Sequence, residues 1–129
     1  MVIVDTSVWI QFLKSGTPSV KAEMDDLRAK GEVAIVGVVI AELLQGSRSQ
    51  QELEEFSEWL TALPYLSETR DTWAMVGRLS YQLRRLGTPV PLLDIVIGAL
   101  ALEHDCTVYT QDEHFRQIPG VQLHQAGQG

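Results

Sequence analysis

The chain begins Met-Val-Ile-Val-Asp-Thr-Ser-Val-Trp, and its second to fourth residues constrain the fold more than any other stretch. Val2, Ile3 and Val4 form an unbroken β-branched run, the pattern of a strand buried on both faces, with polar residues only after it. A strand covered twice needs helices above and below it, which is the arrangement of an open parallel sheet. Asp5 stands where that strand ends. Thr6 and Ser7 each have the side chain of a helix N-cap, and Val8 or Trp9, Phe12 and Leu13 have the spacing of first helical turns. The start of the chain therefore presents one carboxylate on a strand-to-helix turn, at the sheet edge where ligands bind.

The same alternation recurs down the chain. Thr17 and Pro18 supply an N-cap and a first-turn proline for a second helix, with Val20, Met24 and Leu27 as its buried stripe and Gly31 as its stop. A strand over Val33 to Val36 leads, past Gly37, into an apolar helix from Val38 to Gln45 whose one charged residue is Glu42. Ser49 to Leu60 reads as a surface helix that turns Leu53, Phe56 and Leu60 inward. Leu63 to Leu66 contains Pro64 and suits only an edge strand. Thr69 to Leu86 predicts a long helix with Trp73, Val76, Leu79, Leu83 and Leu86 on its buried side, and Arg70, Arg78, Arg84 and Arg85 outside it. After the rigid loop from Gly87 to Pro91, Asp94 opens a helix that is apolar nearly all round as far as Glu103 and hence central. The strand Thr107 to Tyr109 turns at Thr110 to Phe115 into another helix. Val121 to Leu123 forms a last strand before a polar tail, Gln125 to Gly129, expected to fray. Over 129 residues this alternation predicts one α/β domain, residues 1–129, in three α/β/α layers around a central parallel sheet.

Seventeen acidic against ten basic residues give a net charge of −7. Such a chain does not grip nucleic acid through bulk electrostatics, so a nucleic-acid substrate requires a bound cation or a locally basic strip. The sole cysteine, Cys106, excludes an internal disulfide, suits a reducing cytoplasm and reads as a small buried hydrophobe. No apolar run approaches the ~20 residues that cross a bilayer, and the apolar start lacks a basic leader, so neither membrane insertion nor export is expected. Trp9, Phe12, Leu13, Trp59 and Trp73 either leave an apolar groove for a partner or are all core, the second reading weighing more for Trp73 than for Trp9.

Four carboxylates occupy equivalent places. Asp5 and Asp112 follow strands, Glu42 lies one turn into a helix after a strand, and Asp94 opens a helix. Right-handed crossovers bring these ends to one edge of the sheet. Gathered there, each close pair repels by ~1–4 kcal/mol at surface-like dielectrics, so either some carboxyls are protonated or a divalent cation neutralises them. Oxygen donors with no convergent Cys or His suit Mg²⁺ or Mn²⁺. Such a site polarises a phosphoryl oxygen and generates hydroxide at neutral pH, the chemistry of in-line phosphodiester hydrolysis. Ser7 and Thr110 read either as helix caps or as hydroxyls that orient a carboxylate or a water. Two other chemistries of such sheets fail on residues. A phospho-accepting receiver needs adjacent acids after its first strand and a lysine after its last, yet Asp5 is alone and Thr110 to Phe115 has no lysine. A phosphatase with an Asp nucleophile needs a second Asp where Ser7 stands.

Four segments, Val4-Asp5-Thr-Ser-Val-Trp9, Val39-Ile-Ala-Glu42-Leu-Leu-Gln-Gly46, Pro91-Leu-Leu-Asp94-Ile-Val-Ile-Gly-Ala-Leu-Ala101 and Thr110-Gln-Asp112-Glu-His-Phe115, together resemble the PIN-domain family, and more closely the VapC-type toxins of toxin-antitoxin pairs. The resemblance implies a PIN-like α/β/α fold and a Mg²⁺- or Mn²⁺-dependent endoribonuclease acting as a toxin. Asp5, Glu42, Asp94 and Asp112 fill the family's catalytic and metal-binding positions, with Ser7 beside them. It also implies a homodimer and neutralisation by a small antitoxin. Arg84, Arg85 and Arg116 are the local cations available to RNA phosphates. The chain departs from many relatives at His114 and Gln11, where they carry acids, so one metal ion or two remains open. His114 reads as a stand-in ligand, a general acid or an ordinary surface histidine. The alternatives are a processing or repair nuclease on the same fold, and an inactive module that only binds a partner.

Overall fold

The computed structural model describes residues 1–126. β1 (Val2–Val4) lies at the centre of a three-stranded parallel sheet, between β2 (Val33–Ala34) and β3 (Thr107–Tyr109). Val2 stands beside Val33 and Thr107, Ile3 beside Ala34 and Val108, and Val4 beside Tyr109. All three residues of β1 are buried, as their β-branched run predicts. Single bridges widen the sheet at both edges, Ile35 with Tyr65 and Val108 with Leu123.

The two outer strands expected over Leu63 to Leu66 and Val121 to Leu123 are thus reduced to one bridge each. Around Tyr65 the pairing consists of the Ile35 N–H donating to the Pro64 carbonyl at 2.8 Å and the Leu66 N–H donating back to Ile35 at 3.0 Å. Pro64 has no N–H with which to extend it. β2 is also shorter than expected: Ile35 bridges Tyr65 instead, and Val36 is the N-cap of the next helix.

Among the described residues there are six α-helices: α1 (Thr6–Ile10), α2 (Pro18–Ala29), α3 (Gly37–Gln45), α4 (Gln50–Thr61), α5 (Arg70–Arg85) and α6 (Leu92–Glu103). α1 continues as a π-helical turn, Gln11–Ser15, that ends on Gly16 at φ 65°. α3 packs on α1 and α4, and α5 runs antiparallel to α6, its first turn meeting the end of α6 through Thr72 and Glu103. On α6 every residue from Ile95 to Ala101 is buried. Gly98 makes this closeness achievable: a Cβ there would stand 2.9 Å from Ile118 Cδ1 and 3.3 Å from Val121 Cγ2.

Two sequence expectations are corrected here. Trp73 and Leu86 are not buried but 52% and 73% exposed. The inward stripe of α5 is instead led by Thr72, followed by Val76, Leu79 and Leu83. Thr72 is a polar residue that can lead it because its hydroxyl is satisfied, donating to Glu103 Oε2 at 2.7 Å and accepting the Thr69 N–H at 2.9 Å. The weighing of Trp9 against Trp73 is likewise reversed, since Trp9 is 0% exposed. Its ring meets Trp59 edge-on, 5.3 Å between centroids, and the Arg28 guanidinium covers Trp59 at 4.2 Å. Cys106 is buried, as expected, and burial pushes its thiol pKa up. No helix among the described residues is long and apolar enough to cross a membrane. Of the polar tail expected to fray, Gly127 to Gly129 lie outside the described residues.

Candidate active site

The β1–β3 ladder ends as the Asp5 N–H donates to the Tyr109 carbonyl at 2.9 Å. Asp5 then becomes the N-cap of α1, but no backbone N–H is bonded to its side chain. Asp5 is 6% exposed, and its carboxylate receives two hydroxyls on one oxygen, Ser7 Oγ and Thr110 Oγ1, each donating to Oδ2 at 2.9 Å. Ser7 Oγ in turn accepts the Gln111 N–H at 3.1 Å, and Thr110 Oγ1 the Asp112 N–H at 2.9 Å. Neither hydroxyl caps α1. They lock the turn after β3 against the turn after β1.

Glu42 projects from the second turn of α3, where its Oε1 accepts the Thr6 hydroxyl at 2.9 Å. Thr6 looked like a cap, and nothing in its local sequence announces a partner 36 positions away. The short 3₁₀ helix Glu113–Gln117 follows β3, and Asp112 caps it by accepting the His114 N–H on Oδ1 at 2.9 Å. Asp94, in the first turn of α6, is half-buried. His114 Nδ1 lies 3.0 Å from Asp112 Oδ1 and 3.7 Å from Asp94 Oδ2. One donor atom from each of Asp94, Asp112 and His114 falls within 4.8 Å of the others.

The electrostatics tie Asp5 and Glu42 to this group. Burial first, and then the charges of Asp5, Asp112 and Glu42, together raise the Asp94 pKa to about 6, while His114 opposes the rise. Three carboxylates thus act on a fourth, with only one imidazole as an offset. Hard oxygen donors under mutual repulsion fit a divalent cation, which reverses the repulsion and meets the donor preference of Mg²⁺ or Mn²⁺.

The three arginines stand further out. Arg84 and Arg85 are in the last turn of α5, and the antiparallel packing of α5 on α6 brings that turn to the end that carries Asp94. Arg116 pairs with Glu113 at 2.7 Å in solvent. Among the described residues none of the three forms an ion pair with a site carboxylate. Two clefts flank the site. One of about 230 Å³ is lined by Val38, Ala41, Glu42, Gln45 and Leu93. The other, of about 400 Å³, runs from Thr110 to Arg116 and His124.

Fold and site together define a class: a parallel α/β/α protein with carboxylates gathered at the carboxyl ends of its strands, beside the central strand where the strand order reverses. A sequence model of the PIN domain matches residues 2–121, and the chain belongs to the PIN domain family. Comparison with curated proteins gives no match. Among solved structures, the chain is similar to VapBC2 from Rickettsia felis bound to a DNA fragment from their promoter, with a TM-score of 0.81, 21% identity and coverage of 96% of this chain and 98% of that one. DNA-bound VapBC from Salmonella typhimurium matches with a TM-score of 0.81, 22% identity and coverage of 95% and 96%. VapC20 from Mycobacterium tuberculosis, a toxin that cleaves the sarcin-ricin loop, matches with a TM-score of 0.68, 16% identity and coverage of 97% and 100%.

Proposed function

We propose that residues 1–129 form a single nuclease domain, a Mg²⁺- or Mn²⁺-dependent endoribonuclease that acts as the toxin of a toxin-antitoxin pair in the cytoplasm. The observation that carries this reading is the gathering of donor atoms from Asp94, Asp112 and His114 within 4.8 Å of one another, with the Asp5 carboxylate locked by Ser7 and Thr110 on the neighbouring strand end. Asp5, Glu42, Asp94 and Asp112 are the residues that hold the ion. A divalent ion bound by them supplies Lewis-acid polarisation of a phosphoryl oxygen and a hydroxide at neutral pH.

The protein's own contribution is positioning. Ser7 and Thr110 fix the Asp5 carboxylate from one side, and Thr6 fixes Glu42 from α1. The flanking clefts give a single strand room on both sides of the carboxylates, with Arg116 in one of them and Arg84 and Arg85 at the same end of the fold. These cations are what an acidic chain has to offer phosphates once the ion is bound. The likeness to VapBC toxin-antitoxin complexes supports a small antitoxin as partner, and the family resemblance of the sequence is what suggests a homodimer as the working form. Trp73 and Tyr81, exposed on α5, supply apolar surface for a protein contact.

The test is cleavage of purified total RNA by the partner-free protein with Mg²⁺, with Mn²⁺ and with chelator, alongside Asp94→Asn. Discrete fragments that require the ion and vanish in the variant are expected. If both proteins are inert and neither binds a divalent ion, the chain is a partner-binding module instead. A finer check uses Thr6→Val, which keeps the shape and removes the hydroxyl on Glu42. It should raise the metal concentration for half-maximal cleavage about 10-fold, the effect of losing roughly 1.4 kcal/mol in one hydrogen bond to a charged group. An unchanged metal requirement would remove Thr6 from the positioning of Glu42.

A further inference from the structure

We propose that His114 is a nitrogen ligand of this divalent-ion site and that it biases the site toward Mn²⁺ over Mg²⁺. The inference rests on the metal-dependent reading above and goes beyond its all-oxygen donor set. His114 Nδ1 lies 3.0 Å from Asp112 Oδ1 and 3.7 Å from Asp94 Oδ2, and the three donor atoms fall within 4.8 Å of one another. Ligands bonded to one octahedral ion at about 2.1 Å stand about 3 Å apart when adjacent and about 4.2 Å apart when opposite. The 3.0 Å separation is that of adjacent ligands, and the 3.7 Å separation from Asp94 needs a shift of well under 1 Å to become one.

The backbone directs the ring to this place. Asp112 Oδ1 accepts the His114 N–H at 2.9 Å, so the residue that caps the 3₁₀ helix also holds the imidazole against the carboxylates. The other two histidines are occupied elsewhere, His124 with Glu23 at 2.8 Å and His104 beside the Ser67 carbonyl at 3.4 Å. Mn²⁺, as a transition ion, takes a neutral imidazole nitrogen more readily than Mg²⁺, which holds to oxygen donors, whereas carboxylates serve both. Replacing one oxygen of such a site by nitrogen therefore changes which ion it prefers.

Metal binding without RNA tests this. Free Mn²⁺ is counted by electron paramagnetic resonance and Mg²⁺ by its competition with Mn²⁺, for wild type, His114→Asp, His114→Ala and Asp94→Asn. In parallel, ¹⁵N spectra of the histidine rings are followed with substoichiometric Mn²⁺. The His114 side chain is 46% exposed, so these changes leave the core intact. The preference for Mn²⁺ over Mg²⁺ should fall about tenfold in His114→Asp, because an oxygen donor serves both ions. His114→Ala should weaken Mn²⁺ more than Mg²⁺, and the His114 ring should broaden before those of His104 and His124. If the preference is unchanged in both His114 variants while Asp94→Asn still abolishes binding, the metal site stands and His114 is only a counter-ion. If wild type binds neither ion, the metal-dependent reading itself fails.

Discussion

Asp94→Asn is expected to abolish RNA cleavage and, with both proteins metal-free above pH about 6, to melt at a higher temperature than the wild type. The folded-state pKa of Asp94 is raised from 3.8 to about 6, by burial first and then by Asp5, Asp112 and Glu42. A carboxyl raised in this way binds its proton more tightly in the folded state than in the unfolded one. The stability it contributes is present in full below 3.8, falls as pH rises through the window up to about 6, and above that window the ionised group is a net cost. Two pKa units correspond to about 3 kcal/mol, and partial solvent screening reduces this to roughly 1–2 kcal/mol. Asparagine has no charge to bury, so the variant escapes the penalty. For a domain of this size the gain is about 3–10 °C in melting temperature.

Thermal unfolding in chelator on either side of the pH window measures this directly. The advantage of the variant should shrink as pH falls toward 3.8, where wild-type Asp94 is protonated too. It should also shrink when Mg²⁺ or Mn²⁺ is added, because an ion that binds only the folded wild type stabilises it by mass action. A variant that melts at or below the wild-type temperature above pH about 6 would show that the four carboxylates do not strain one another. The expected pairing of lost activity with gained stability is what a site assembled against its own repulsion should give.

Much of that assembly was legible in the residues, and the reason is local. Asp5 and Asp112 follow β-branched runs, and Asp94 opens an apolar helix, so strand ends and helix starts located them without any tertiary knowledge. Contacts between distant segments left no such trace. The Thr6 to Glu42 hydrogen bond joins two helices across 36 positions, and Thr6 reads as an ordinary cap. The inward face of α5 likewise depends on a contact between distant segments. Hydropathy favours Trp73 for the interior, whereas Thr72 takes that place because Glu103, on α6, accepts its hydroxyl. The outer strands failed because a β-branched or apolar run says nothing about how many ladder bonds its neighbour can return. His114 lay between these cases, visible as a departure from a pattern but given a location only by the carboxylates around it.

Trp9→Ala should lower stability by about 3–5 kcal/mol, the range for truncating a fully buried aromatic side chain. Trp9 is 0% exposed and packs edge-on against both Phe12 and Trp59. Its Nε1 has no hydrogen-bond partner among the described residues. Trp9→Phe therefore deletes an unsatisfied buried donor along with part of the ring, and should cost only about 1–2 kcal/mol because the first loss offsets some of the second. The consequence reaches the site through α1. That helix starts at Asp5, holds Thr6 against Glu42 and Ser7 against Asp5, and is fixed to the rest of the core by Val8 and Trp9. Trp9→Ala should thus lose cleavage at temperatures where its secondary structure is still intact, while Trp9→Phe retains most of it. Denaturant midpoints read beside cleavage rates test both halves. A nearly neutral Trp9→Ala would place the ring in a surface groove open to a partner, the arrangement the sequence allowed and the packing around Trp59 opposes.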